Sequence, residues 1–387
     1  MSVKPNGLLD FRSEIPLADF TTIGLGGIAR YFVRCETVEE IRSALIFAES
    51  EKLPVQIMGG GSNLIFADEG FDGLVLKVDL KGISFKDEGS FTSATAAAGE
   101  VWDSFVKSCV ENDLAGVECL SGIPGSVGAT PIQNVGAYGQ EVKDSIVSVK
   151  AIDRSSLKIV EFTPEACGFG YRSSIFKSKE KDRFVIVGVR HRLERHGRPS
   201  LKYAELKNYV ESGKKETGSG RQEEVESRLS TIREAVLTLR RRKSMVVDEH
   251  DPNSRSVGSF FVNPVLSAAE YDSLLGKLRE NKIGEAPSFK TAEGMKIPAA
   301  WLVENSGFHK GYRMGGVGIS SNHALALINQ SGTTKELLSL AASIEEAVFK
   351  NFGIALEREA VVVQKLDSYR SGSVNTRKNV TKSEFQK

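Results

Sequence analysis

Between Gly122 and Gly139 the chain reads GIPGSVGATPIQNVGAYG, with five glycines and two prolines in eighteen residues. No regular helix or strand tolerates that spacing, because proline fixes φ and lacks a donor while glycine weakens both element types. Yet Ile123, Val127, Ile132, Val135 and Tyr138 recur through it, which a disordered linker would not provide. The segment is therefore a shaped loop, with Gln133, Asn134 and Tyr138 as the polar groups leaving it. Glycine makes up 37 of 387 residues, about 10% against a typical ~7%, and the excess is clustered. Such clusters bring backbone close to a ligand. A second cluster, Gly59-Gly60-Gly61-Ser62-Asn63, sits between strand signals at Val55–Met58 and Asn63–Phe66. Its bare N–H groups can form an anion nest, to which Ser62 and Asn63 add donors.

Around these loops, helix and strand signals are mixed. Thr37-x-x-Glu40 and Thr333-x-x-Glu336 are capping boxes, each followed by apolar residues at helical spacing. Further helices are expected over 100–112 and Leu229–Arg242, and strands at Tyr31–Arg34, Gly73–Val78, Val147–Asp153, Lys158–Phe162 and Phe184–Leu193. The class is α+β or mixed α/β, and the length suggests two or three domains. The polar stretch Gly213–Arg228 reads as a surface loop, and the tail after Leu366 has little to bury and reads as disordered.

Several function classes drop out. With 51 basic and 50 acidic residues, the net charge of +1 gives no reason to expect nucleic acid or a membrane surface. No apolar run spans a bilayer, and the first twenty residues lack a secretory pattern. Cys35, Cys109, Cys119 and Cys167 show no metal spacing and read as buried thiols of a reducing compartment. No HExxH and no GxxxxGK[ST] occur, so no metal site is expected. Gly24-x-Gly26-x-x-Ala29 matches a dinucleotide fingerprint, but Tyr31, Phe32 and Val33 continue as a strand where that motif needs a helix.

Further motifs follow in order: Cys167-Gly168-Phe169-Gly170-Tyr171-Arg172-Ser173-Ser174-Ile175-Phe176-Lys177, Ser256-Val257-Gly258-Ser259-Phe260-Phe261-Val262-Asn263-Pro264, Ala299-Ala300-Trp301-Leu302-Val303-Glu304 with Lys310-Gly311, and Leu356-Glu357-Arg358-Glu359. Together with MGGGSNLIF and the glycine-proline loop, they resemble the bacterial UDP-N-acetylenolpyruvoylglucosamine reductases from about Thr21 to Val363. The resemblance implies an α+β fold: an FAD-binding module of the vanillyl-alcohol-oxidase type in two subdomains, then an α/β substrate-binding domain. The boundaries expected are 1–20 for an N-terminal segment, 21–82 and 83–195 for the two FAD-binding subdomains, 196–365 for the substrate domain and 366–387 for the tail. FAD would lie against Gly59, Gly60, Gly61, Ser62, Asn63 and Leu64, and against Gly122, Ile123, Pro124, Gly125, Gly128, Pro131, Gln133, Asn134, Gly136 and Ala137.

The implied reaction reduces UDP-N-acetylglucosamine enolpyruvate for peptidoglycan precursor synthesis, with NADPH reducing FAD and the flavin passing hydride to the enolpyruvyl group. The resemblance gives Arg172 the substrate carboxylate, Ser259 the proton and Glu359 a supporting carboxyl, with Glu357 open as the alternative carboxylate. Two carboxylates side by side need a proton or a cation, so the catalytic glutamate should have a raised pKa. Tyr138, Tyr171, Tyr203, Lys243 and Asn263 are the implied substrate contacts, Tyr203 lying in a Pro199–Leu206 loop like that which folds a tyrosine over the uridine diphosphate. Two departures stand out: Ala204 replaces a glycine, and Ser244-Met245-Val246-Val247 replaces a Leu-Pro after Lys243. The expected protein is a cytoplasmic monomer. The alternative is a flavin oxidase of the same fold acting on another small substrate.

Overall fold

The computed structural model describes residues 2–3, 9–217 and 228–364. Three sheets organise them. In spatial order the first holds Ser2–Val3, Phe11–Pro16, Ile28–Cys35, Phe71–Val78 and Val55–Met58. Ile28–Cys35 and Val55–Met58 both run parallel to Phe71–Val78. Parallel strands need a crossover, and the helix Val38–Ser50 provides it. That helix starts at the expected capping box, Thr37 accepting from the Glu40 N–H while the Glu40 carboxylate accepts from the Thr37 N–H. Gly24-x-Gly26-x-x-Ala29 runs straight into the strand Ile28–Cys35 and makes no dinucleotide turn.

The second sheet is antiparallel, in the order Ile159–Phe162, Ile146–Asp153, Phe184–Arg195, Phe91–Ala97, Ile83–Asp87. The helix Trp102–Glu111 lays Trp102, Phe105, Val106 and Cys109 into a core shared with the first sheet, where they join Val33, Ile41 and Leu76. The third sheet, also antiparallel, holds Ser256–Ser259, Ala326–Asn329, Val317–Ile319 and Arg313–Met314. Ala268–Glu280, Ala299–Glu304 and Thr334–Phe352 contribute helices to its core. The last of these buries Leu337, Leu340, Ile344 and Val348, each worth about 1.5–3 kcal/mol. It ends at Gly353, whose φ of 70° is the left-handed cap that glycine accepts freely.

Two connections place the site. After Gly353 the chain returns to the first module, where Val361–Val363 pairs in parallel with Leu64–Phe66. The helix Leu229–Arg242 seats Ile232, Val236 and Leu239 on Cys119, Leu206 and Val210. Its Arg233 forks onto Asp103 at 2.6 and 2.7 Å. Burial alone would raise the Asp103 carboxyl, but hydrogen bonds from Arg233 and Gly122 and the Arg233 charge hold it below its ordinary value.

One expectation is corrected. The polar stretch from Gly213 does not begin as a loop, because the helix Ala204–Thr217 runs through its first five residues. Lys and Glu are good helix formers, and no proline interrupts them. The rest of that stretch to Ser227 and the tail 366–387 lie outside the described residues. All four cysteines are buried and free. Among the described residues no group of side chains could hold a metal ion, and no helix is long and apolar enough to cross a membrane.

Candidate active site

The two glycine loops face each other. A Cβ on Gly60 would come within 2.8 Å of the Gly125 Cα, and one on Gly125 within 2.7 Å of Ser62 Oγ. Ser62 donates from its hydroxyl to the Pro124 carbonyl at 3.2 Å, tying the loops together. Lys77 donates to the Gly59 carbonyl at 3.1 Å. The backbone N–H groups of Gly60, Gly61, Ser62 and Asn63 have no acceptor among the described residues. This is a cradle of bare donors that only glycine lets form, and it suits the diphosphate of a dinucleotide. Not every residue of the expected set shares that role. The Gly122 N–H is held by Asp103 at 2.6 Å, and the Gly128 N–H by the Ala98 carbonyl at 2.9 Å. Gly128 is there for packing, since a Cβ would meet that of Ala98 at 2.6 Å. Leu64 opens the strand that pairs with Val361. Pro131 takes the Asn134 N–H at its carbonyl, and Ala137 pairs with Gln140.

Beside the cradle lies a polar cluster drawn from all three modules. Arg172 Nε stands 3.3 Å from Glu359 Oε1. Gln133 Nε2 donates to the same oxygen at 3.2 Å, and Asn63 donates to Gln133 Oε1 at 3.2 Å and to the Glu359 carbonyl at 3.1 Å. Arg172, at a φ of 50°, also donates from Nη2 to the Gly136 carbonyl at 2.8 Å. Burial pushes the Glu359 carboxyl up, and the Arg172 and Lys177 charges draw it only part of the way back. Glu357 differs: its side chain is 70% exposed and pairs with Lys177 at 3.2 Å. Of the two glutamates, Glu359 alone reaches Arg172.

Ser259 joins this cluster through the backbone. The Glu359 N–H donates to the Phe260 carbonyl at 2.8 Å, and Val262 N–H to the Glu357 carbonyl at 2.9 Å. The strand carrying Ser259 and the segment carrying Glu359 are thus laced together. The half-buried Ser259 hydroxyl has no hydrogen-bond partner among the described residues. Tyr171 is half-buried beside Arg172, with the Lys296 Nζ 5.4 Å from its ring centroid; burial raises its phenol pKa, and the Arg172 charge and the nearby Asn263 side chain oppose this. Asn263 also accepts from the Ala299 N–H at 2.8 Å, so it holds the start of a helix as well.

A second group sits on the far side of Gly136. The Tyr138 and Tyr203 rings meet edge to face, with centroids 5.4 Å apart at 87°. Lys243 Nζ lies 5.8 Å from the Tyr138 ring centroid and 2.6 Å from Glu205 Oε2. Ala204 is accommodated because it begins the helix Ala204–Thr217, where no left-handed turn is required. The unusual Ser244 takes a φ of 55°, and its hydroxyl accepts from Asn322 at 2.9 Å. Two residues near Lys243 were outside the expected site. Arg240 has a buried Nε with no partner among the described residues and donates from Nη2 to the Met245 carbonyl. His323 is pushed down to about 4, first by burial and then by the charges of Lys243, Lys310 and Arg240. Arg240 was hidden in a run of basic residues that resembles any helix end, and an isolated histidine carries no pattern.

Residues 29–162 match the FAD binding domain family, and residues 250–363 match the C-terminal domain of UDP-N-acetylenolpyruvoylglucosamine reductase. The UDP-N-acetylenolpyruvoylglucosamine reductase of Thermobifida fusca is 43% identical over 360 residues, covering 91% of this chain and 98% of that protein. That of Streptomyces coelicolor is 42% identical over 358 residues, covering 90% and 89%. The crystal structure of the reductase of Thermus caldophilus has the same fold, with a TM-score of 0.61 over 92% of this chain and 99% of that one, at 24% identity. The bare cradle between Gly60 and Gly125 fits FAD, and the chain belongs to the UDP-N-acetylenolpyruvoylglucosamine reductase family of FAD- and NADPH-dependent oxidoreductases.

Proposed function

We propose that this chain reduces the enolpyruvyl ether of UDP-N-acetylglucosamine enolpyruvate to the lactyl ether of UDP-N-acetylmuramate, in peptidoglycan precursor synthesis. The observation that carries this reading is the Arg172–Glu359 pair beside the glycine cradle, with an unpartnered Ser259 hydroxyl on the neighbouring strand. When bound, FAD supplies the hydride that the terminal carbon of the enolpyruvyl group receives, having taken it from NADPH. Negative charge then develops on the adjacent carbon and its carboxylate. Arg172 grips that carboxylate and stabilises the charge with a fixed cation. Glu359, its proton favoured by burial, hydrogen-bonds the same carboxylate without adding a second negative charge. Ser259 gives its hydroxyl proton to the adjacent carbon and is reprotonated from solvent. Tyr171 shapes the gap between cofactor and substrate.

Tyr203, Tyr138, Lys243 and Asn263 hold the nucleotide end, in the manner of the subclass with a tyrosine loop. The Lys243–Glu205 pair supports this, since a diphosphate can replace the Glu205 carboxylate on the lysine. The boundaries 21–82, 83–195 and 196–365 serve as the working division, with Phe11–Pro16 added to the first sheet and Val361–Val363 returning to the first module. A cytoplasmic monomer accords with four buried free thiols and a nucleotide-linked substrate.

Anaerobic titration tests the reading. NADPH bleaches the flavin, and the enolpyruvyl substrate restores its colour. Bleaching without recovery on adding substrate rejects the proposal. Reoxidation by oxygen alone, with no response to the enolpyruvyl ether, favours an oxidase.

A further inference from the structure

Glu118 is a fully buried carboxylate outside the reaction centre, 1% exposed, on the turn that precedes the Gly122 loop. No cation pairs with it among the described residues. Instead, three N–H donors converge on it. Gln140 Nε2 and the Ser200 N–H donate to Oε1 at 2.7 and 2.9 Å, and the Gly116 N–H donates to Oε2 at 2.8 Å. Burying an unpaired charge is costly, so a residue needed only for packing would be apolar here. A carboxylate accepts at both oxygens and donates at neither, which matches a site made entirely of donors.

The donors identify what the carboxylate holds. Gln140 is itself buried, pairs with Ala137 across a tight turn, and accepts from the Cys119 N–H at 2.8 Å. Tyr138, at a φ of 48°, and Gly139, at 81°, form that turn. Ser200 lies three residues before Tyr203, and its carbonyl accepts from Cys119 Sγ at 3.3 Å. One carboxylate therefore fastens the turn bearing Tyr138 and the loop bearing Tyr203 to the same short segment. The two rings borne on those elements meet edge to face.

We infer that Glu118 is a positioning residue for substrate binding, fixing Tyr138 and Tyr203 as a preset pair against the nucleotide end of the substrate. This rests on the reading that these two tyrosines bind substrate. Presetting lowers the ordering cost of binding and acts on KM more than on kcat. Glu118→Gln keeps the size and hydrogen-bonding bulk but turns an amide NH2 toward one of the three donors.

The test is a double-mutant cycle on the holoenzyme, with steady-state KM and kcat for the enolpyruvyl substrate. Glu118→Gln is expected to raise KM on the order of tenfold while kcat changes less than about twofold. Tyr203→Ala is expected to raise KM by itself, and adding Glu118→Gln to it should raise KM by a smaller factor than Glu118→Gln does in the parent. A folded Glu118→Gln enzyme with unchanged KM overturns the inference, as does an additive cycle. If Glu118→Gln does not fold, Gln140→Met, which cuts the Tyr138 arm, enters a cycle with Tyr138→Ala, with the same outcomes. Unchanged KM in Tyr203→Ala defeats the underlying reading and the inference with it. An impaired Tyr203→Ala with additive effects defeats the inference alone.

Discussion

Arg172 Nε faces Glu359 Oε1 at 3.3 Å, a pairing of a residue in a left-handed turn of the second module with one on the segment returning from the third. The guanidinium also holds the Gly136 carbonyl at 2.8 Å. A lysine cannot make both contacts and still present a fork to a carboxylate. Arg172→Lys is expected to lower kcat on the order of 10²-fold, with flavin content retained. Turnover within threefold of the parent would reject the assigned role.

Ser259→Ala leaves the cradle intact and removes the hydroxyl proposed as the proton source. Reduction of the flavin by NADPH should be unchanged in stopped-flow absorbance. Reoxidation by substrate should slow on the order of 10²–10⁴-fold, the usual size of a general-acid effect. Equal reoxidation rates in variant and parent would remove Ser259 from the mechanism.

Glu359 gives a pH signature. Burial, as the largest influence, raises its pKa, and Arg172 opposes that in part. A carboxyl whose folded pKa lies above its unfolded value stabilises the fold below the unfolded pKa and loses that contribution as pH rises through the folded one. Glu359→Gln keeps the neutral shape at every pH. Thermal unfolding from pH 4 to pH 8 should therefore show Tm falling less steeply with rising pH in Glu359→Gln than in the parent. Parallel Tm profiles would contradict this.

His191 works in the opposite window. It is buried between Trp102 and Phe105, hydrogen-bonded to Ser145 at 2.9 Å, and burial pushes it down to about 3. The unfolded chain binds its proton from about pH 6.5 downward, so stability falls as pH drops through that range toward 3. His191→Phe should reduce the slope of unfolding free energy against pH by up to ~1.4 kcal/mol per pH unit between about pH 4 and 6. Denaturant melts at several pH values measure it, and an unchanged slope refutes it.

Gly60→Ala probes the cradle. The added Cβ would lie 2.8 Å from the Gly125 Cα, and backbone cannot yield there as a flexible side chain would. The purified variant should carry little FAD while its far-ultraviolet circular dichroism stays close to that of the parent. Full flavin occupancy would show that the loops have room to spare.

Local chemistry made much of this fold readable. Both threonine capping boxes, the Gly353 stop and the glycine cradle are short-range features, and each sits where its residues dictate. The pairing of Arg172 with Glu359 is not short-range. It depends on where the strand Val361–Val363 finds its partner, and nothing in Leu356–Glu359 specifies that. The glycines looked alike in the sequence, but the backbone separates them. Gly60 faces the other loop across the cradle, whereas Gly128 has its N–H taken by Ala98 and serves packing. Glu118 and His323 were invisible because an isolated charged residue has no period and no motif. Only the donors gathered around Glu118 and the cations around His323 single them out.

The parallel pairing of Val361–Val363 with Leu64–Phe66 also sets an order of events. A growing chain can complete both FAD-binding sheets while Glu359 has yet to be synthesised. The carboxyl reaches Gln133 and Arg172 only when the final strand closes onto one of the earliest. The two glycine loops and the proposed catalytic pair are thus separated along the length of the chain, and the pair is completed only by the segment that leads into Val361–Val363.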